Sequence, residues 1–100
     1  MSFAIPVERL HETDTLLAFY HPRPLHPVHI LLVPRKAIPA LTDLVAEDSQ
    51  FLADVFETTG LLVRRLGLAE QGYCLVVNGG AYQDILQLHF HLISGAALPG

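Results

Sequence analysis

The sequence predicts an α+β domain: a five-stranded antiparallel sheet with one long helix on one face. Three observations carry that expectation. Five short apolar or alternating runs are set apart by turn-forming and proline-bearing segments. Only residues 47–66 repeat their apolar positions at helical spacing over a long stretch. Three of the runs precede that stretch and two follow it.

The first strand is expected over Val7 to His11, closed by a turn at Glu12-Thr13-Asp14. The second is Thr15 to Tyr20. His21-Pro22-Arg23-Pro24-Leu25-His26-Pro27 cannot be regular, because its three prolines remove backbone donors and fix φ. The third strand, Val28 to Val33, stops at Pro34, and Thr42-Asp43 starts a short helical turn. Glu47 to Leu66 reads as the main helix, with Leu52, Val55, Phe56, Thr59, Leu62, Val63 and Leu66 on one stripe. Its ends suit the helix dipole, with Glu47 and Asp48 at the start and Arg64 and Arg65 at the finish. Gly67 is a natural stop. Gly60 costs up to about 1 kcal/mol relative to alanine inside a helix, and close packing on the sheet is the expected reason for it. Phe51 and Phe56 are expected in the core. Gly72 to Asn78 is the fourth strand, with Cys74 expected to be buried and inert, and Ile85 to Ser94 the fifth. Asn78-Gly79-Gly80-Ala81 joins the two.

One hundred residues make a single domain, 1–100. At 51% hydrophobic and 16% charged residues, the chain carries more apolar surface than so small a fold buries. A homodimer interface is the expected outlet. The net charge of −4 argues against broad charge-driven nucleic-acid binding. The single cysteine rules out an internal disulfide and suits a reducing cytoplasm. No apolar run approaches the roughly 20 residues that span a bilayer. Met1 to Pro6 lacks the basic region and apolar stretch of a signal peptide.

Gln87-Leu88-His89-Phe90-His91 is the most informative segment. In a strand, alternate side chains face opposite ways, so Gln87, His89 and His91 share a face while Leu88, Phe90 and Leu92 enter the core. A neutral imidazole is a good nucleophile near pH 7, and its phosphoramidate leaves readily once protonated. A second imidazole on the same face can donate to phosphate oxygens as charge builds on them. Two other readings stand beside this one: exposed surface histidines, or a metal site on His89, His91 and His29.

The chain resembles the histidine-triad (HIT) family, whose signature is His-x-His-x-His with apolar x, followed by two apolar residues. The matching run is Gln87 to Ile93. His29-Ile30-Leu31-Leu32-Val33-Pro34-Arg35-Lys36 is similar to the family's His-x-Leu-Val-x-Pro-Lys stretch, and Gly72 to Asn78 to its strand ending in asparagine. Gln83-Asp84-Ile85 stands in place of Gln-x-Val, and Leu98-Pro99-Gly100 is similar to the ending of the nucleoside-phosphoramidase branch. The resemblance implies a nucleotide-binding homodimer that hydrolyses or transfers nucleoside monophosphates without metal or cofactor. It implies His89 as the nucleophile that carries the nucleotidyl group, with His91 and Gln87 completing the catalytic set. It adds His29, Asn78, Gln83, Asp84, His21 and Phe19 as phosphate- or nucleotide-binding positions.

Three departures bear on activity. Gln87 replaces the leading triad histidine and cannot carry a proton charge. His21 stands where the nucleoside-binding branch has an aspartate that accepts from both ribose hydroxyls. Ala81-Tyr82 replaces glycines, so Tyr82 is expected to narrow the pocket mouth, and Asp84 replaces a serine. The leading expectation is hydrolysis of a nucleotide phosphoramidate or related phosphoanhydride. The alternative is a nucleotide- or phosphate-binding protein with little turnover.

Overall fold

The structure, a computed structural model, describes residues 8–100. Val7 and the Met1–Pro6 segment lie outside the described residues. The strands are β1 (Arg9–Glu12), β2 (Leu16–Tyr20), β3 (Val28–Pro34), β4 (Cys74–Val77) and β5 (Phe90–Ser94). The helices are α1 (Ser49–Arg65) and the one-turn α2 (Leu68–Gln71), with 3₁₀ turns at Leu41–Asp43, Ala46–Asp48 and Gly80–Tyr82. The five strands form one sheet in the order β1-β2-β3-β5-β4, every neighbouring pair antiparallel.

Alternation along the strands sorts the two faces. Leu16, Ala18, Ile30, Leu32, Leu88, Phe90 and Leu92 join Phe51, Val55, Leu62 and Val63 of α1 in the main core. Each such leucine contributes roughly 1.5–3 kcal/mol by leaving water. Leu17, Phe19 and Val33, with Leu31 packed on them, make a second cluster to which no helix contributes. That face also carries the histidines.

α1 is held across the sheet by a polar staple as well as by its apolar stripe. Asp54, 7% exposed, accepts from Thr15 Oγ1 at 2.6 Å, Gln50 Nε2 at 2.8 Å and Thr13 Oγ1 at 2.9 Å. These bonds, that from Thr15 first, hold its carboxyl below the usual range. At the head of α1, Asp48 accepts from Lys36 Nζ at 2.8 Å and the Val45 amide at 3.0 Å.

Several expectations change. The Glu47–Leu66 helix begins as a 3₁₀ turn and becomes α only at Ser49. Phe51 is core, but Phe56 is 66% exposed, while Thr58 and Asp54 fill inward positions instead. A Cβ on Gly60 would meet only the Arg64 guanidinium, at 3.3 Å, so packing on the sheet does not require this glycine. α2 had no periodic signal, being a single turn. β4 is shorter than Gly72–Asn78, and Cys74 is exposed because β4 is an outer strand and Cys74 lies on its helix-free side. The fifth strand starts at Phe90 rather than Ile85. β4 ends at Val77, opposite Phe90, and although β3 runs on past Leu32 to Pro34, its pairing with β5 stops at Leu32–Phe90, the Leu88 amide turning to the Ile38 carbonyl instead.

Candidate active site

β3 and β5 lie side by side, with Leu31 opposite His91 and His29 opposite Ile93. Opposed residues share a face, so His29 and His91 sit diagonally on the helix-free side. Their rings meet through His29 Nε2 and His91 Nδ1 at 2.9 Å. The Leu25 amide reaches His29 Nδ1 from the proline-bearing loop at 3.0 Å. An amide only donates, so His29 Nδ1 accepts and its proton is on Nε2. That proton goes to His91 Nδ1, which puts the proton of neutral His91 on Nε2. His91 Nε2 is buried and has no partner. An orphaned buried donor carries a desolvation cost that an arriving acceptor removes. Burial, reinforced by neighbouring imidazoles, pushes both rings down to about 4, so both are neutral near pH 7.

His89 is fixed by backbone. Its Nδ1 lies 2.6 Å from the Gln87 carbonyl oxygen. A carbonyl only accepts, so Nδ1–H donates, and in the neutral ring the lone pair is on Nε2. The ring centroid is 4.9 Å from that of His91. The Gln87 amide turns elsewhere, donating to the Lys36 carbonyl at 3.3 Å and approaching that of Pro34 at 3.5 Å. Leu88, fully buried between them, anchors the segment and donates its N–H to the Ile38 carbonyl at 2.7 Å. Gln87 and His89 thus keep the alternation of β5 without belonging to its ladder.

His21 accepts the Arg23 amide on Nδ1 at 2.9 Å, which leaves its proton on Nε2. Its ring is 4.5 Å from His29 and stacks 6.3 Å from His91. Burial, then His89, lowers its pKa. Two hollows flank the pair His89–His91. One, about 80 Å³, is lined by His21, Leu31, Val33, Ile85, Gln87 and His89. The other, about 170 Å³, is bounded by Leu25, His26, His29, Val76, Asn78 and His91, among others. A wider hollow of about 500 Å³ lies against α1, but His11 is its only histidine. Chemistry rather than volume marks the site.

The structure therefore brings together His21, His29, Asn78, Gln87, His89 and His91. Phe19 lies under the site in the second apolar cluster and lines neither hollow. Gln83 holds its own loop, donating to the Pro39 carbonyl at 2.7 Å and the Ile85 carbonyl at 2.9 Å. Asp84 is exposed and lines neither hollow, and Tyr82, 82% exposed, does not narrow either mouth. Both lie in a loop that Gln83 holds with the turn facing outward. His29 does not offer a free nitrogen, since both are engaged; it acts through His91. Leu31 and Val33 were legible as site residues, following His29 at i+2 and i+4 on one strand face. The Leu25 amide had no signal in the sequence. The metal reading on His29, His89 and His91 does not fit this donor set: among the described residues no group of three His, Cys, Asp or Glu is placed to hold an ion. Among them, too, no helix is long and apolar enough to cross a membrane.

A sequence model of the HIT domain matches residues 2–98. The purine nucleoside phosphoramidase of Escherichia coli (strain K12) is 32% identical over 96 residues, which cover 94% of this chain and 81% of that protein. The fold superposes on the crystal structure of a HIT family hydrolase from Legionella pneumophila Philadelphia 1 with a TM-score of 0.84, at 35% identity over 92% of this chain and 84% of that one. A histidine triad nucleotide-binding protein from Candida albicans matches with a TM-score of 0.81, at 27% identity over 96% and 73% of the respective chains.

Proposed function

Since the chain belongs to the HIT domain family, we propose that it hydrolyses nucleoside phosphoramidates or related phosphoanhydrides through a nucleotidyl intermediate on His89. The observation that carries this reading is the His89 Nδ1–H bond to the Gln87 carbonyl, which puts the lone pair of the neutral ring on Nε2, beside a buried His91 Nε2 that lacks a partner.

Each group then has a task. His89 Nε2 attacks the α-phosphorus as the bond to the leaving group breaks. A leaving amine departs with a proton taken from solvent. The positive charge that develops on His89 is shared with the Gln87 carbonyl through Nδ1–H. His91 Nε2–H meets the non-bridging oxygens, where charge grows in the transition state. Asn78 lines the same hollow and supplies a further amide. Water next attacks the phosphorus, the phosphorus–nitrogen bond breaks, and His89 is restored with release of a nucleoside monophosphate. Leu31, Val33 and Ile85 give the other hollow an apolar floor suited to the nucleoside. His21 meets the sugar with a donor, not with the paired acceptors a carboxylate offers.

The test is incubation with adenosine 5′-phosphoramidate in the presence of a chelator, beside a His89→Ala control. Wild type is expected to release AMP, and the variant to lose on the order of a thousandfold in rate while still binding AMP. Equal release by both proteins sinks the assignment. AMP binding without release by wild type moves the protein to the binding-only reading.

A homodimer belongs to the same proposal. β4 is an outer strand with one edge open, flanked by exposed Tyr73 and Cys74, and such an edge recruits a second chain. Light scattering at micromolar concentration should return twice the chain mass; the single-chain mass would refute it.

A further inference from the structure

The segment that follows β5 touches the proline-bearing loop at three points. The Leu98 amide donates to the Leu25 carbonyl at 2.8 Å. His26 Nδ1 lies 3.0 Å from the Gly95 carbonyl, which can only accept, so Nδ1–H donates. Gly95 itself lies against the ring of Pro27, and a Cβ there would fall 2.8 Å from Pro27 Cγ and 2.9 Å from Cδ. At φ +86° Gly95 also holds a conformation that residues with side chains rarely adopt. No other residue type lets the chain leave β5 so close to this loop.

Leu25 links these contacts to the site. Its carbonyl is gripped by Leu98, while its amide grips His29 Nδ1 at 3.0 Å. We propose that Gly95–Leu98 is a strap whose grip on the Leu25–Pro27 loop dictates which nitrogen of His29, and hence of His91, carries the proton. If the loop shifts, His29 Nδ1 loses the donor that makes it an acceptor. His29 is then free to carry its proton on either nitrogen. The bond to His91 Nδ1 no longer has a fixed direction, and His91 no longer presents Nε2–H alone. Gly95, His26 and Leu98 are therefore positioning residues. His26 also borders the hollow beside His91, so the tautomers rather than phosphate affinity report its positioning role.

The test reads tautomers directly, by long-range proton–nitrogen NMR correlations of the imidazoles at pH 7. Wild type should show His29 and His91 each with its proton on Nε2. Gly95→Ala should turn both into mixtures and weaken inorganic phosphate binding by about tenfold, as expected when a donor to an anion is no longer held in place. His26→Leu should shift both rings in the same direction, and His26→Asn, which keeps a donor near the Gly95 carbonyl, should restore the wild-type pattern. If Gly95→Ala does not fold, the His26 pair decides alone. Folded variants that keep both rings in the Nε2–H form, whatever their phosphate affinity, would overturn the strap. The tautomers report on it whether or not any nucleotide is turned over, so its failure and that of the proposed hydrolysis are seen separately.

Discussion

His89 owes its orientation to the peptide of Gln87 and not to the side chain that distinguishes position 87. The carbonyl oxygen takes the His89 Nδ1 proton at 2.6 Å, while the side-chain amide faces the Lys36 and Pro34 carbonyls. A glutamine in place of an imidazole therefore leaves the support of His89 intact. Gln87→Ala is expected to keep phosphoramidate turnover within about threefold of wild type and to cost roughly 1 kcal/mol of stability through the two carbonyls it abandons. Steady-state kinetics with a denaturant melt check this; a hundredfold drop in turnover at unchanged stability would place the side chain in the chemistry. At this scale the identity of the histidines was legible, because alternation alone puts His89 and His91 on one face. The relay from Leu25 through His29 was not, since it depends on a backbone amide four residues before His29 that only the folded loop brings back.

α1 shows the same division at the scale of an element. The apolar repeat located the helix, and Val55, Thr59, Leu62 and Val63 face inward as the stripe requires. Phe56, assigned to that stripe, lies outside it, and the buried Asp54 was invisible because its three donors come from distant Thr13 and Thr15 as well as from nearby Gln50. Gly60 needs neither positive φ nor close approach, and its only prospective neighbour is the flexible end of Arg64. Gly60→Ala should accordingly stabilise the fold by about 0.5–1 kcal/mol, seen as a raised Tm. A lowered Tm would mean that Arg64 cannot give way to the added methyl group. β5 began later than its pattern suggested for a complementary reason: alternation marks where a strand can lie, while a ladder also needs its backbone bonds, and the Leu88 amide gives its bond to Ile38.

For the whole molecule, the histidine cluster sets a pH dependence. Folding lowers His29 and His91 from 6.5 to about 4, chiefly by burial, with His21, His26 and His89 among the facing imidazoles. As pH falls below 6.5 the unfolded chain takes up these protons before the folded one does. The stability they contribute is thus complete above about 6.5 and is lost between there and about 4. Asp48 and Asp54 are lowered carboxyls, so their share is present above 3.8 and is lost in more acidic solution. A Tm measured from pH 7 to 4 should fall across the histidine window, and His91→Asn should flatten that fall. A Tm independent of pH there, or an unchanged slope in the variant, would contradict the burial of these rings as the cause.

The sequence by itself determined the five strands, the helix, the two faces of the sheet and the histidines that share one of them. All of these follow from local periodicity, which is written in side chains a few residues apart. The tertiary structure alone decided where β5 begins, that Cys74 and Phe56 face outward, that Gln83 holds a loop while Asp84 stays outside both hollows, and which nitrogen of each imidazole bears its proton. Those outcomes depend on backbone groups, strand neighbours and burial contributed by segments far apart in the chain, and no local pattern encodes them.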